Sequence, residues 1–199
     1  MRFSNRVNAV LVAPGATKLE LLLGYGAAVV GALLGAVCGL AENYSVLQVT
    51  VLAVLGFDII GGVVVNATVA AQKRFGERPG WRRRSITFVA MHVHPFVLTA
   101  AYAANSWWSA ALLYAGLVAS AALITQTSPM LRRPAAFACT AGLIVLSSAT
   151  GPTGVSLAWV LPLLVIKLLL AHMLAGSSTR YNLASKDVEL PSCRAVRRV

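Results

Sequence analysis

The segment VLAVLGFDIIGGVVVNATVAAQ, residues 51–72, decides the fold class. A helix needs roughly 20 apolar residues to cross a bilayer core of about 30 Å, and this segment is that long with Asp58 as its one ionisable side chain. The whole chain of 199 residues is 58 % hydrophobic and only 12 % charged. A soluble domain carries about 25 % charged residues. These values exclude a soluble globular or disordered protein and predict an integral membrane protein.

Six segments are apolar and long enough to predict an all-α, polytopic bundle of six transmembrane helices. The predicted spans are 19–40, 46–72, 85–104, 107–125, 134–150 and 154–175. Residues 1–18 are predicted to form a cytoplasmic N-terminal segment. Residues 176–199 are predicted to form a mobile, basic cytoplasmic tail, because they mix charge with Ser, Asn and Pro and lack an apolar run.

The basic residues sort by side of the membrane. Of the 17 Lys and Arg residues, all except Lys167 fall in the N-terminal segment, the second and fourth loops, or the tail. Cytoplasmic loops collect Lys and Arg, so both termini are predicted to be cytoplasmic, in a plasma or inner membrane. The net charge of +11 then reflects topology, and no nucleic-acid partner is expected. The second loop is predicted to contact anionic lipid headgroups through Lys73, Arg74, Arg78, Arg82, Arg83 and Arg84.

Asp58 is the centre of the candidate site, because ionisable residues inside a membrane are costly and commonly functional. Asp58, Gly62 and Asn66 are spaced four residues apart and share one helix face. Gly61 and Gly62 leave room for a ligand or another backbone beside the carboxyl group. Lys167 lies about 10 Å nearer the cytoplasm by residue count, so Asp58 is expected to lack a counter-ion and to hold its proton.

Two histidines lie near the middle of the third predicted span. His92 and His94 are two residues apart and would point to nearly opposite faces of a regular helix. Pro95 is expected to kink this helix by removing a hydrogen bond to the Met91 carbonyl. Because the two rings diverge and no third ligand is evident at the same depth, no metal site is expected, and no particular cofactor is indicated.

Small residues form a ridge along the first predicted helix, where Gly31, Gly35 and Gly39 recur every four residues. Such ridges allow helices to pack closely, either within a bundle or between protomers. We expect a homo-oligomer that forms through this ridge.

Three functions remain open. The first is a permease that moves a small solute or ion, with Asp58 as a proton-linked site. The second is a membrane-embedded enzyme acting on a lipid or prenyl substrate through Asp58, His92 and His94. The third is a non-catalytic accessory subunit of a membrane complex. The residues predicted to bind the substrate or ion are Asp58, Gly61, Gly62, Asn66, His92 and Lys167.

Overall fold

A computed structural model describes residues 12–75, 79–103, 105–151 and 154–175. Within these ranges the chain is helical and contains no strand. Most of the predicted N-terminal segment, Arg78 and the predicted tail 176–199 lie outside the described residues. The helices are α1 (Lys18–Ala41), α2 (Val46–Ala67), α3 (Val69–Phe75), α4 (Trp81–Ala90), α5 (His94–Tyr102), α6 (Trp107–Gln126), α7 (Pro129–Thr150) and α8 (Val160–Val165), which continues as a π-helical segment, Ile166–His172.

Five helical stretches in the described chain are long and apolar enough to cross a membrane, which supports a multi-pass membrane protein. They are α1, α2, α4 with α5, α6 and α7. The sixth apolar helix, Val160–His172, is shorter. Several predicted boundaries were wrong: the second span ends at Ala67, the third begins at Trp81, and the fifth begins at Pro129.

The start of α7 shows why its predicted boundary was wrong. Pro134 was taken as the first residue of the span, but it lies inside the helix. Ser128 is the N-cap, and Pro129 occupies the first turn, where a missing backbone N–H costs no helical hydrogen bond. Arg132 and Arg133 therefore lie on the first turns of α7 rather than in a loop. The guanidinium group of Arg132 packs over the ring of Trp81 at 4.6 Å.

Helices α1 and α2 form an antiparallel hairpin that packs through glycine. Gly31 lies so close to Gly56 that a Cβ atom on either residue would collide with the backbone carbonyl of the other. Gly35 packs in the same way on the Leu52 carbonyl, and Gly39 packs on Val49. The ridge Gly31, Gly35 and Gly39 thus contacts α2 of the same chain. The predicted homo-oligomer stays a prediction.

The sixth apolar helix lies at the centre of the fold. It packs against α2, α6 and α7, and its side chains Leu164, Leu168 and Leu169 are completely buried. In contrast, α1 exposes large apolar side chains such as Leu22 and Val37. Helix α8, Val160–Val165, is apolar all round, and a helix of that kind is expected to be buried.

The third predicted span is broken rather than kinked. Helix α4 ends at Ala90, and α5 begins at His94, with Pro95 in its first turn. The carbonyl of Ala90 accepts a hydrogen bond from the Tyr114 hydroxyl at 2.8 Å. The Met91 carbonyl, predicted to be freed by Pro95, accepts a hydrogen bond from the Val93 amide at 3.1 Å. Irregular backbone at membrane depth is tolerated where protein groups satisfy it in this way.

Candidate functional site

Asp58 is held by two basic side chains from different helices. Its Oδ2 atom accepts a hydrogen bond from Lys167 Nζ at 2.6 Å, which makes a salt bridge between α2 and the π-helical segment. The same oxygen accepts a hydrogen bond from His94 Nε2 at 3.0 Å, which joins α2 to α5. Three separate segments of the chain therefore meet at one carboxylate.

This salt bridge corrects the expectation that Asp58 has no counter-ion. Counting residues along straight helices placed Lys167 too far away, since it ignored the length of the side chain and the packing of the two helices. Gly62 provides the space: a Cβ atom at this position would collide with Lys167 Cε, so the stem of the lysine lies directly against the backbone of α2. The Lys167 side chain is only 3 % exposed, so its ammonium group points into the protein.

The break between α4 and α5 brings the two histidines together. Their rings are nearly parallel, at 13°, with centroids 5.3 Å apart, so the predicted divergence of His92 and His94 was wrong. On a regular helix they would point in nearly opposite directions, but residues 91–93 do not continue the helix. We call Asp58, His92, His94 and Lys167 the polar cluster.

An aromatic group on α4 extends the polar cluster. His92 donates through Nδ1 to the Phe88 carbonyl at 2.7 Å, and the Phe88 ring stacks on His172 with centroids 3.9 Å apart. Neither Phe88 nor His172 was predicted to belong to the site. The π-helical segment explains the position of His172, since i→i+5 bonding brings residues five apart, here Lys167 and His172, nearer to one face than an α-helix would.

A small cavity opens beside Asp58 between α1 and α2. It has a volume of about 90 Å³, and its walls include Tyr25, Phe57, Gly61 and Gly62. We call it the Asp58 cavity. The side chain of Asp58 is 45 % exposed, whereas those of its partners His94 and Lys167 are 15 % and 3 % exposed. The carboxylate therefore faces the opening, and its two basic partners lie behind it.

All but one of the predicted site residues lie at or beside the polar cluster. Asp58, Gly62, His92, His94 and Lys167 converge as described. Gly61 packs its backbone against Ala28 of α1 while it lines the Asp58 cavity. Asn66 lies away from the cluster, one turn further along α2 than Gly62, and lines a different groove together with Arg133.

The chemistry available to the polar cluster is proton and cation exchange. A carboxylate that is bonded to an ammonium group and an imidazole can accept a proton or a small cation in place of one partner while it keeps its hydrogen bond to the other. In the described part of the chain, no three His, Cys, Asp or Glu side chains group closely enough to hold a metal ion.

Comparison of the chain with protein families, curated proteins and solved structures finds no match in any of the three.

Proposed function

We propose that this chain is a permease-like, six-span membrane protein in which Asp58 binds a proton or a small cation in exchange for Lys167. The observation that supports this proposal is the 45 % exposure of the Asp58 side chain beside a cavity of about 90 Å³. A charged group at membrane depth is too costly to face hydrocarbon. The opening is therefore a place for water, an ion or a small polar solute.

The order of the charges favours a cation over an anion. The carboxylate of Asp58 faces the cavity, and the Lys167 ammonium group is buried behind it. An ion that enters from the Asp58 cavity meets negative charge first. The cavity has room for several water molecules, which suits a proton or a small hydrated cation better than a larger solute.

Exchange at Asp58 would be linked to the irregular helices. A proton or cation on Asp58 weakens the attraction that holds the Lys167 ammonium group, while His94 keeps a hydrogen bond to the carboxyl group. Lys167 is carried by the π-helical segment, and His94 is the first residue of α5 after the break. Irregular helical segments of this kind are frequent at functional sites. The release of Lys167 would thus change the contact between α2 and the central helix.

The test is ion movement in sealed vesicles. The purified protein is reconstituted with a pH-sensitive dye inside, and gradients of H⁺, Na⁺ or K⁺ are imposed. We expect the wild type to change the internal pH under at least one gradient and Asp58→Asn to abolish that change. The double variant Asp58→Asn with Lys167→Met, which leaves no unpaired ammonium group, should also be inactive yet folded. Gly142→Ala on the exposed face of α7 is the matched control.

Two outcomes would contradict the proposal. Wild-type vesicles whose internal pH stays constant under every gradient would favour an enzyme or an accessory subunit. An accessory role gains direct support if the protein copurifies with another chain that covers Asp58. An Asp58→Asn protein that moves protons as fast as the wild type would exclude the carboxylate as the exchange site.

We also propose six spans with both termini in the cytoplasm. Met130 and Val155 lie near opposite ends of α7 and are 91 % and 88 % exposed, so both tolerate substitution. In a variant that lacks the native cysteines, an impermeant thiol reagent should label Val155→Cys in intact cells. Met130→Cys should react only after the cells are opened. The reverse pattern would invert the orientation, and equal labelling from one side would exclude a span between the two positions.

A further inference from the structure

A second opening lies at the end of the bundle that the charge pattern predicts to be cytoplasmic. Its volume is about 370 Å³, within the range of roughly 300–1,000 Å³ that is typical of small-molecule sites. It lies between the end of α2, the start of α7 and the end of the sixth apolar helix. We call it the Arg133 groove, and it is lined by Val63, Asn66, Ala67, Gln72, Arg133, Phe137, Ile166, Leu170, Ala171, Leu174 and Ala175.

The lining of the Arg133 groove is amphiphilic. Its walls are mostly apolar, with Phe137 of α7 and Leu170 of the π-helical segment among them. Arg133 supplies a positive charge, is exposed, and has no ion-pair partner among the described residues. A ligand that matches both features needs an anionic group beside an apolar chain.

Asn66 provides a second, independent indication of a ligand. It is only 4 % exposed, and its Nδ2 group has no hydrogen-bond partner in the part of the chain that the structure describes. Buried amide groups are nearly always satisfied, so an unsatisfied buried amide beside an open groove indicates an acceptor that the described residues do not supply. An ester carbonyl of a lipid is an acceptor of that kind.

We propose that the Arg133 groove binds one anionic phospholipid. Arg133 pairs with the phosphate group, Asn66 donates to an oxygen of the glycerol ester after a small rotation of its amide, and an acyl chain lies along Phe137, Leu170 and Leu174. Arginine at this end of the bundle lies at the level where anionic headgroups of the cytoplasmic leaflet are found. This site is separate from the Asp58 cavity and does not depend on ion exchange there.

Native mass spectrometry of the purified protein tests the proposal. The probes are phosphatidylglycerol and phosphatidylcholine with identical acyl chains, titrated into detergent-solubilised protein. We expect one phosphatidylglycerol per wild-type chain to bind at least about fivefold more tightly than phosphatidylcholine, which is the size of effect expected for one arginine near the surface. Arg133→Gln should remove that preference. Ala67→Phe, which fills the groove and keeps the charge, should remove binding of the single lipid.

A control variant shows whether the preference for phosphatidylglycerol comes from Arg133 or from any exposed basic residue. Arg83→Gln removes an exposed charge at the start of α4, outside the groove, and should keep the preference for phosphatidylglycerol. Each variant should unfold at the same temperature as the wild type. The proposal is wrong if Arg133→Gln and Arg83→Gln weaken binding equally, if Ala67→Phe binds as the wild type does, or if inorganic phosphate alone displaces the lipid.

Discussion

The α1–α2 hairpin and the polar cluster are built in opposite ways. Both helices of the hairpin run without interruption for 24 and 22 residues, and they meet through bare backbone at Gly31 and Gly56. The polar cluster joins a broken helix, α4 with α5, to a helix that changes from α to π. The hairpin is held by close packing of small residues, whereas the cluster is held by charge and hydrogen bonds.

This difference indicates where the molecule is able to change. Close packing of backbones has a single best arrangement, so α1 and α2 are expected to move as one unit. The polar cluster depends on one carboxylate shared between Lys167 and His94, and protonation of that carboxylate would weaken its attraction for the Lys167 ammonium group. Four substitutions test the contrast, taken from the largest expected loss of stability to the smallest.

Lys167→Met should cause the largest loss, about 3 kcal/mol in the free energy of unfolding, because it leaves the Asp58 carboxylate without its cation. This is the lower end of the range for a broken buried pair, since Asp58 is partly exposed. Adding Asp58→Asn should restore most of the loss, because the pair is then replaced by neutral groups. Denaturant titration in detergent micelles measures both values. A double variant as unstable as Lys167→Met alone would contradict the salt bridge.

Gly31→Ala tests the hairpin and should cost about 2 kcal/mol, because the added methyl group collides with the Gly56 carbonyl and forces the backbones apart. The matched control is Gly26→Ala on the same helix. An added Cβ at Gly26 would have no atom of the described residues within 4 Å, so this change should be neutral or stabilise the protein by up to about 1 kcal/mol. Equal effects from the two substitutions would show that α1 and α2 do not pack in this register.

Gly62→Ala probes the boundary between the two regions. Its methyl group would collide with the Lys167 stem, which is flexible, so the expected loss of stability is between about 1 and 2 kcal/mol. If Lys167 is the exchanging partner, Gly62→Ala should slow proton movement in vesicles by more than the loss of folded protein explains. The control is Gly142→Ala, whose added methyl group has no atom of the described residues within 4 Å. Normal proton movement by Gly62→Ala would argue against Lys167 as the partner.

Tyr114→Phe should give the smallest effect, about 1 kcal/mol, by removing the hydrogen bond to the Ala90 carbonyl where the helix breaks. Tyr44→Phe is the comparison, because the Tyr44 ring packs on Tyr102 and its hydroxyl group has no hydrogen-bond partner among the described residues. That change should stay within about 0.5 kcal/mol. Losses of the same size from both would mean that the Tyr114 hydroxyl group does not support the break.

Much of the architecture followed from composition and hydropathy, because a bilayer imposes a single length scale on every helix that crosses it. The multi-pass helical fold, the bounds of α1 and α6 to within one residue, and the choice of Asp58 as the candidate acid needed no tertiary information. The glycine ridge of α1 also predicted close packing correctly, although it could not identify α2 as the partner.

The site itself needed the tertiary structure. Estimating the depth and the face of a side chain from its position in the sequence assumes straight, regular helices. The polar cluster forms at the two places where the helices are irregular. The break at residues 91–93 aligns His92 with His94, and the π-helical segment directs Lys167 and His172 inward. The sequence by itself therefore determined that a carboxylate lies inside a helix apolar and long enough to cross a membrane, because hydropathy is a local property of the chain. Only the packing of three distant segments decided that Lys167 and His94 share it.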